Sequence, residues 1–202
     1  MTPSKVVASN LFDTFLMQLR SGDDFAIGEF LAKYEPYIRR TLRFRIARAS
    51  LQPVADSVDV CQSVLGSFLL RLSAGEYELH TEEELRALLV SIANKKFLML
   101  QRREKAAKRD RRITVSLSDP MGVPSDEISV AKHFAQEELL KEVARRFTSQ
   151  EHELFRQRSA GKSWESISAQ LGEDSGTLRQ RLSRAINRVA VELKLEDADE
   201  RT

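Results

Sequence analysis

The chain has 202 residues, 42% of them apolar, with five prolines and eight glycines, which excludes a disordered or collagen-like chain and leaves length for one large or two small domains. Thirty-two Lys and Arg stand against 30 Asp and Glu, a net charge of +2, so total charge does not announce a nucleic-acid binder and its distribution must decide. The single cysteine, Cys61, excludes an internal disulfide, and the lack of a charged lead or of any run of about 18 apolar residues predicts a soluble, cytoplasmic protein with no membrane attachment.

Leu11, Phe12, Phe15, Leu16 and Leu19, then Phe25, Ile27, Phe30, Leu31, Tyr34 and Ile38, recur at three- and four-residue spacing. That period predicts two amphipathic helices broken at Ser21-Gly22-Asp23, with Pro36 bending the second or ending it early. A third helix is expected from about Val54 to Leu72, with Val60, Val64, Leu65, Phe68, Leu69 and Leu72 on one side, ended by Ser73-Ala74-Gly75. Thr81 followed by Glu82, Glu83 and Glu84 reads as a capping box with acids at the positive end of the helix dipole. The helix it opens carries Leu85, Leu88, Leu89, Ile92, Phe97 and Leu100 into a run from Lys95 to Arg112. That run holds nine cationic residues against only Glu104 and Asp110, a patch sized for a polyanion.

Helical periodicity stops between about Ile113 and Ser129, where Pro120, Gly122 and Pro124 lie among Asp119, Asp126 and Glu127, as in a flexible linker. A helix is expected from Ser129 to Phe147, then another opened by Thr148 or Ser149 with Glu151 and closed by Gly161. The fold class is therefore all-α, with two small helical domains at 1–112 and 129–202 joined by a linker at 113–128.

The stretch from Gly161 to Leu193 reads as a helix-turn-helix. Ser163 caps a short helix with Trp164, Ile167, Ser168 and Leu171 facing inward, Gly172 supplies the turn, and Asp174 caps a second helix. The apolar face of that helix is Leu178, Leu182, Ala185, Ile186, Val189 and Leu193. Thr177, Gln180, Arg181, Arg184 and Arg188 fall away from it, near the end that enters the major groove in this motif. Arginine reads guanine edges and glutamine reads adenine, while Arg and Lys also grip phosphates, so Lys162, Ser163, Thr177, Arg179, Gln180, Arg181, Arg184 and Arg188 are the candidate duplex-binding set.

The rest of the chain offers no catalytic constellation. His80, His133 and His152 are scattered with no ligand spacing, so no metal and no cofactor is expected. Cys61 suits a small buried core position better than the alternative, a redox-sensing thiol. Glu82-Glu83-Glu84 and Glu137-Glu138 are helix neighbours that point to different sides, and neither a phosphate-cradling glycine loop nor a nucleophile elbow occurs. The chain is not expected to be an enzyme.

Gly161, Ser163, Ile167, Leu171-Gly172 and the run Gly176-Thr177-Leu178-Arg179-Gln180-Arg181-Leu182-Ser183-Arg184-Ala185 resemble the fourth conserved region of the sigma-seventy family of RNA polymerase sigma factors, with Ser166 and Ser168 in place of the usual glutamate and alanine. Asp56, Asp59, Gln62 and Val64 are similar to the polymerase-binding helix of that family's second region, with Ser63 where glutamate is usual. Ile92, Ala93, Asn94, Arg102 and Arg103 resemble its promoter-melting helix. The resemblance runs from about Leu16 to Leu193 with no third domain between, which points to the extracytoplasmic-function type. It implies a non-enzymatic sigma factor, monomeric when free, that binds core RNA polymerase through Asp56, Asp59, Gln62 and Ser63. The same resemblance implies that the melted minus-ten strand is held by Tyr77, Asn94, Lys95, Lys96, Arg102, Arg103 and Lys105, and the minus-thirty-five promoter duplex by the helix-turn-helix set. Whether an anti-sigma factor holds the chain stays open. The rival reading is a conventional helix-turn-helix regulator that dimerises on a palindromic site without polymerase.

Overall fold

The structure, a computed structural model, describes residues 3–48, 55–111 and 141–196. It is all-α: among the described residues the regular elements are helices. They are α1 Pro3–Ser21, α2 Asp24–Arg48, α3 Ala55–Ser73 and α4 Glu82–Arg111, then a helical stretch at 141–146 (α5), α6 Ser149–Ser159, α7 Trp164–Leu171 and α8 Ser175–Glu192. The expected linker at 113–128, with Asp119, Asp126 and Glu127, lies outside the described residues, as do His133 and Glu137-Glu138. None of the described helices is long and apolar enough to cross a membrane.

Helix α2 runs through Pro36, where the sequence left a bend or an early end open. The missing amide costs one interior bond, but Tyr34, Ile38, Leu42 and Ile46 are all buried on one stripe. Packing on both sides of the proline carries the helix past it. At the start of α4 the Thr81 hydroxyl accepts from the Glu84 N–H at 3.2 Å, while the Glu84 carboxylate accepts from His80 rather than from Thr81, at 2.7 Å. The expected capping box is therefore shifted by one residue on its return arm.

Helices α1–α4 enclose one core around Leu19, Phe30, Tyr34, Phe68, Leu85 and Leu89. Phe30 stacks on Phe68 at 5.1 Å and Phe68 on Tyr77 at 5.8 Å. Cys61 is buried in this core. A second core gathers Leu154, Ile167, Leu178, Leu182, Ile186 and Val189 from α6–α8, and it also takes Leu70 and Ala74 from the end of α3. Helix α3 thus presents Leu69 to one core and Leu70 to the other. Each buried leucine of this kind contributes roughly 1.5–3 kcal/mol, so the two helical groups are packed together through α3.

Gly75 makes part of that close approach possible. Its φ of +69° closes α3 with Gly75 N–H to Leu72 O and Glu76 N–H to Arg71 O, at 2.9 and 3.0 Å, the left-handed helix end that glycine favours. The Arg158 guanidinium lies where a side chain at 75 would project and donates to the Gly75 carbonyl at 3.2 Å. Ser159 donates to the Ser73 carbonyl beside it at 2.9 Å.

Candidate nucleic-acid interface

Helix α7 begins where the Ser163 hydroxyl accepts from the Ser166 N–H at 3.2 Å, and Gly172 ends it with φ +69°. Asp174 then accepts from the Thr177 N–H at 2.9 Å and opens α8. Ile167 from α7 packs on Leu178, Leu182 and Ile186 of α8. Leu171, expected inward, is instead 38% exposed: it ends an eight-residue helix beside the turn, one turn past the Ile167 contact. Trp164 is half-buried at the edge of the second core.

The candidate duplex-binding residues divide into two groups. Thr177, Arg179, Gln180 and Arg184 are exposed along the first half of α8. Arg179 lies over the Trp164 ring at 5.8 Å, which orients it. The nearby Glu165 carboxyl is held below its ordinary value by hydrogen bonds from its own backbone and the Ser163 side chain, helped by the charges of Arg179 and Arg158. Arg181 instead forms a two-pronged pair with Glu173, one arm at 3.1 Å, and the hydrogen bond from Arg181 holds the Glu173 carboxyl below its usual range. Arg188 bonds Glu151 at 2.7 Å, the Arg146 carbonyl at 3.1 Å and Glu192 at 3.2 Å, so it ties α8 to α5 and α6. Lys162 is exposed and bonds Gln157 and Gln170.

The α4 residues also separate. Lys95, Arg102, Arg103 and Lys105 are exposed on one cationic helix. Asn94 is half-buried, and its side-chain oxygen is enclosed with no hydrogen-bond partner. Lys96 is 8% exposed, its ammonium donating to the Leu195 carbonyl. Tyr77 is half-buried with its ring stacked on Phe68 and its carbonyl accepting from Arg20 at 3.3 Å, an arrangement that packs the ring on the first core.

On α3, Asp59 and Gln62 are exposed, and the backbone of Asp56 lies in the helix. Ser63 donates to the Leu195 carbonyl at 2.8 Å. Sequence reasoning missed this partner, together with Ser67, Arg71, Asn187 and Glu196. Arg71 bonds Glu196 with both prongs at 2.8 and 2.6 Å, and also Glu76 at 2.6 Å and Asn187 at 2.8 Å. Burial works against the Arg71 charge, but the Glu196 hydrogen bond and the charges of Glu76 and Glu196 outweigh it and raise its pKa. Burial likewise opposes ionised Glu196, and Arg71 with Lys96 and Lys95 overcomes it, leaving that carboxyl below its ordinary value. One signal for this was in the sequence: Arg71 is the lone charge in a helix end that is otherwise buried, and such a charge needs a partner.

A third cationic cluster was also missed. Arg158 lies over Trp164 at 4.8 Å, and burial, together with the like charges of Arg20 and Arg179, pulls its pKa down. Comparison of the chain with family models, curated proteins and solved structures finds no match to any of them.

Proposed function

We propose that the chain is a promoter-specificity subunit of bacterial RNA polymerase, a sigma factor of the extracytoplasmic-function type, which binds core polymerase and directs it to promoter DNA without catalysing a reaction. On this reading α7 and α8 are a helix-turn-helix for the minus-thirty-five duplex, the cationic end of α4 receives the melted minus-ten strand, and α3 meets the polymerase. The observation that carries it is the exposed row Thr177, Arg179, Gln180 and Arg184 at the start of a capped helix behind a left-handed glycine turn. Its chemistry suits base edges and phosphates in a major groove. The exposed Lys95, Arg102, Arg103 and Lys105 on α4 suit the phosphates of separated strands.

The test is competition for core enzyme followed by run-off transcription. The purified chain should displace another sigma factor from core polymerase and support initiation at its own promoters, and charge reversal at Asp59 should weaken the assembly. Tight binding to a palindromic duplex as a dimer, with no affinity for core enzyme, would instead make it a conventional regulator.

A further inference from the structure

Leu195 and Glu196 follow α8, and the way α8 ends aims them at α3 and α4. Leu193 closes the helix, and Lys194 takes a left-handed conformation with φ +56°. The Lys194 N–H bonds Val191 O at 3.0 Å and the Leu195 N–H bonds Ala190 O at 2.8 Å, the two-bond helix end usually built on glycine. A side chain there crowds the following carbonyl, a conformation that residues other than glycine rarely adopt, so other contacts must hold the turn. They are on the facing helices. The Leu195 carbonyl takes three donors, Ser63 at 2.8 Å, Ser67 at 3.1 Å and Lys96, and the Leu195 side chain is 7% exposed. Glu196 receives both prongs of Arg71.

These partners coincide with surfaces assigned to other ligands. Ser63 belongs to the polymerase-facing set on α3, and Lys96 to the strand-binding set on α4. Asp59 and Arg103 line an open cleft of which Ser63, Lys96, Lys194, Leu195 and Glu196 form other walls. An occupant with a carbonyl, a leucine side chain and a carboxylate in sequence satisfies two hydroxyls, an ammonium and a guanidinium at once, and those four groups are closed to a second ligand until the occupant leaves.

We infer that Leu195 and Glu196 form a self-inhibitory clasp: in the free chain they occupy the α3–α4 groove, and core RNA polymerase must displace them to engage α3. The inference rests on the polymerase reading, and its mechanism is competition for one groove. Displacement removes the bonds of Ser63, Ser67 and Lys96 to Leu195 and of Arg71 to Glu196, leaving Leu70, Ala74 and the Arg71–Asn187 and Arg158–Gly75 contacts to hold the α6–α8 group, so polymerase binding shifts the chain toward an opened form. The affinity of polymerase for the chain is then lowered by the fraction of molecules held closed.

The experiment compares the full chain, Glu196→Lys and a chain ending after Lys194. Small-angle scattering and circular dichroism report opening and helix content, and competition binding reports affinity for core polymerase. Both variants should keep their helix content, show a larger radius of gyration, and bind polymerase about tenfold more tightly. Unchanged radii in both variants would overturn the clasp. Larger radii with unchanged affinity would overturn the masking of α3 while leaving the sigma-factor reading intact. No binding of polymerase by any of the three would overturn that reading and this inference with it.

Discussion

Arg181 and Arg188 carry the same charge as Arg179 and Arg184, but it is directed into the protein: Arg181 onto Glu173, Arg188 onto Glu151 and the Arg146 carbonyl. If the chain binds promoters as proposed, alanine at Arg179, Gln180 or Arg184 should therefore act on DNA. A residue that reads a base should lose roughly 1–3 kcal/mol at one base pair, whereas a phosphate contact should weaken every sequence alike and lower the salt dependence by about one ion. Alanine at Arg188 should instead lower the melting temperature with little change in base preference. Binding of polymerase complexes to every single-base variant of a promoter separates these outcomes. If Arg181→Ala or Arg188→Ala shifts base preference as strongly as Arg179→Ala, the division is wrong. Arg71 gives a contrasting case in stability. Removing it leaves the largely enclosed Glu196 carboxylate without its hydrogen-bonding guanidinium, so Arg71→Ala should cost about 2 kcal/mol in urea unfolding, between a surface pair and a fully buried one because both groups keep some solvent. The equally close Arg156–Glu153 pair is on the surface, and Arg156→Ala should leave the unfolding midpoint where it was.

At the level of elements, what was legible in the sequence is what is local. Thr148 with Glu151, Ser163, Gly172 and Asp174 each make their bond within four residues, so a cap or a turn announces itself by residue type at a fixed offset. The α3–α8 contacts join residues more than a hundred positions apart, and no period encodes them. Tyr77 shows the same limit, since a loop aromatic offered to a base and one stacked on Phe68 have the same sequence. Pro36 was ambiguous because propensity and packing disagree there, and only the buried stripe from Tyr34 to Ile46 decides. The cap at Asp174 carries a direct prediction: Asp174→Ala should cost about 1 kcal/mol and loosen the turn of α8 that holds Thr177, Arg179 and Gln180, weakening duplex binding without altering which bases are preferred. The junction of α8 with α3 carries another, in pH. The folded-state pKa of Glu196 is below its unfolded value of 4.5, so its pairing contributes stability that is fully present above that value and lost as pH falls through the lower, folded one. Scattering across an acid titration should show the chain opening only below about pH 4.5, and Glu196→Gln should remove that step. Opening that begins near neutral pH would point to another group.

On the scale of the whole molecule, the end of α3 makes one cooperative body out of two cores. Leu69 is buried among α1–α4, while Leu70, its neighbour in sequence, is buried with Leu154, Ile167 and Val189 of the other group. Ala74 is buried beside it, and Arg71 lies between them in the polar network with Glu196 and Asn187. Two cores that share a helix cannot unfold independently unless the free energy joining them is smaller than the stability of each. Truncating either leucine removes roughly 2–5 kcal/mol, but from different places. Leu69→Ala weakens the first core and leaves the junction whole, so calorimetry should show a single transition at lower temperature, with calorimetric and van't Hoff enthalpies still equal. Leu70→Ala takes its energy from the junction, so it should split the melt into two transitions, with the calorimetric enthalpy exceeding the van't Hoff value. Combining Leu70→Ala with Glu196→Lys should widen the split beyond that of either change alone, because each removes a different contact from the same junction, and a shortfall from the summed effects would measure their coupling. Two transitions in the unaltered chain, or one in the Leu70→Ala variant, would mean that α3 does not couple the cores, and the clasp would then be too weak to compete with polymerase for the α3 surface.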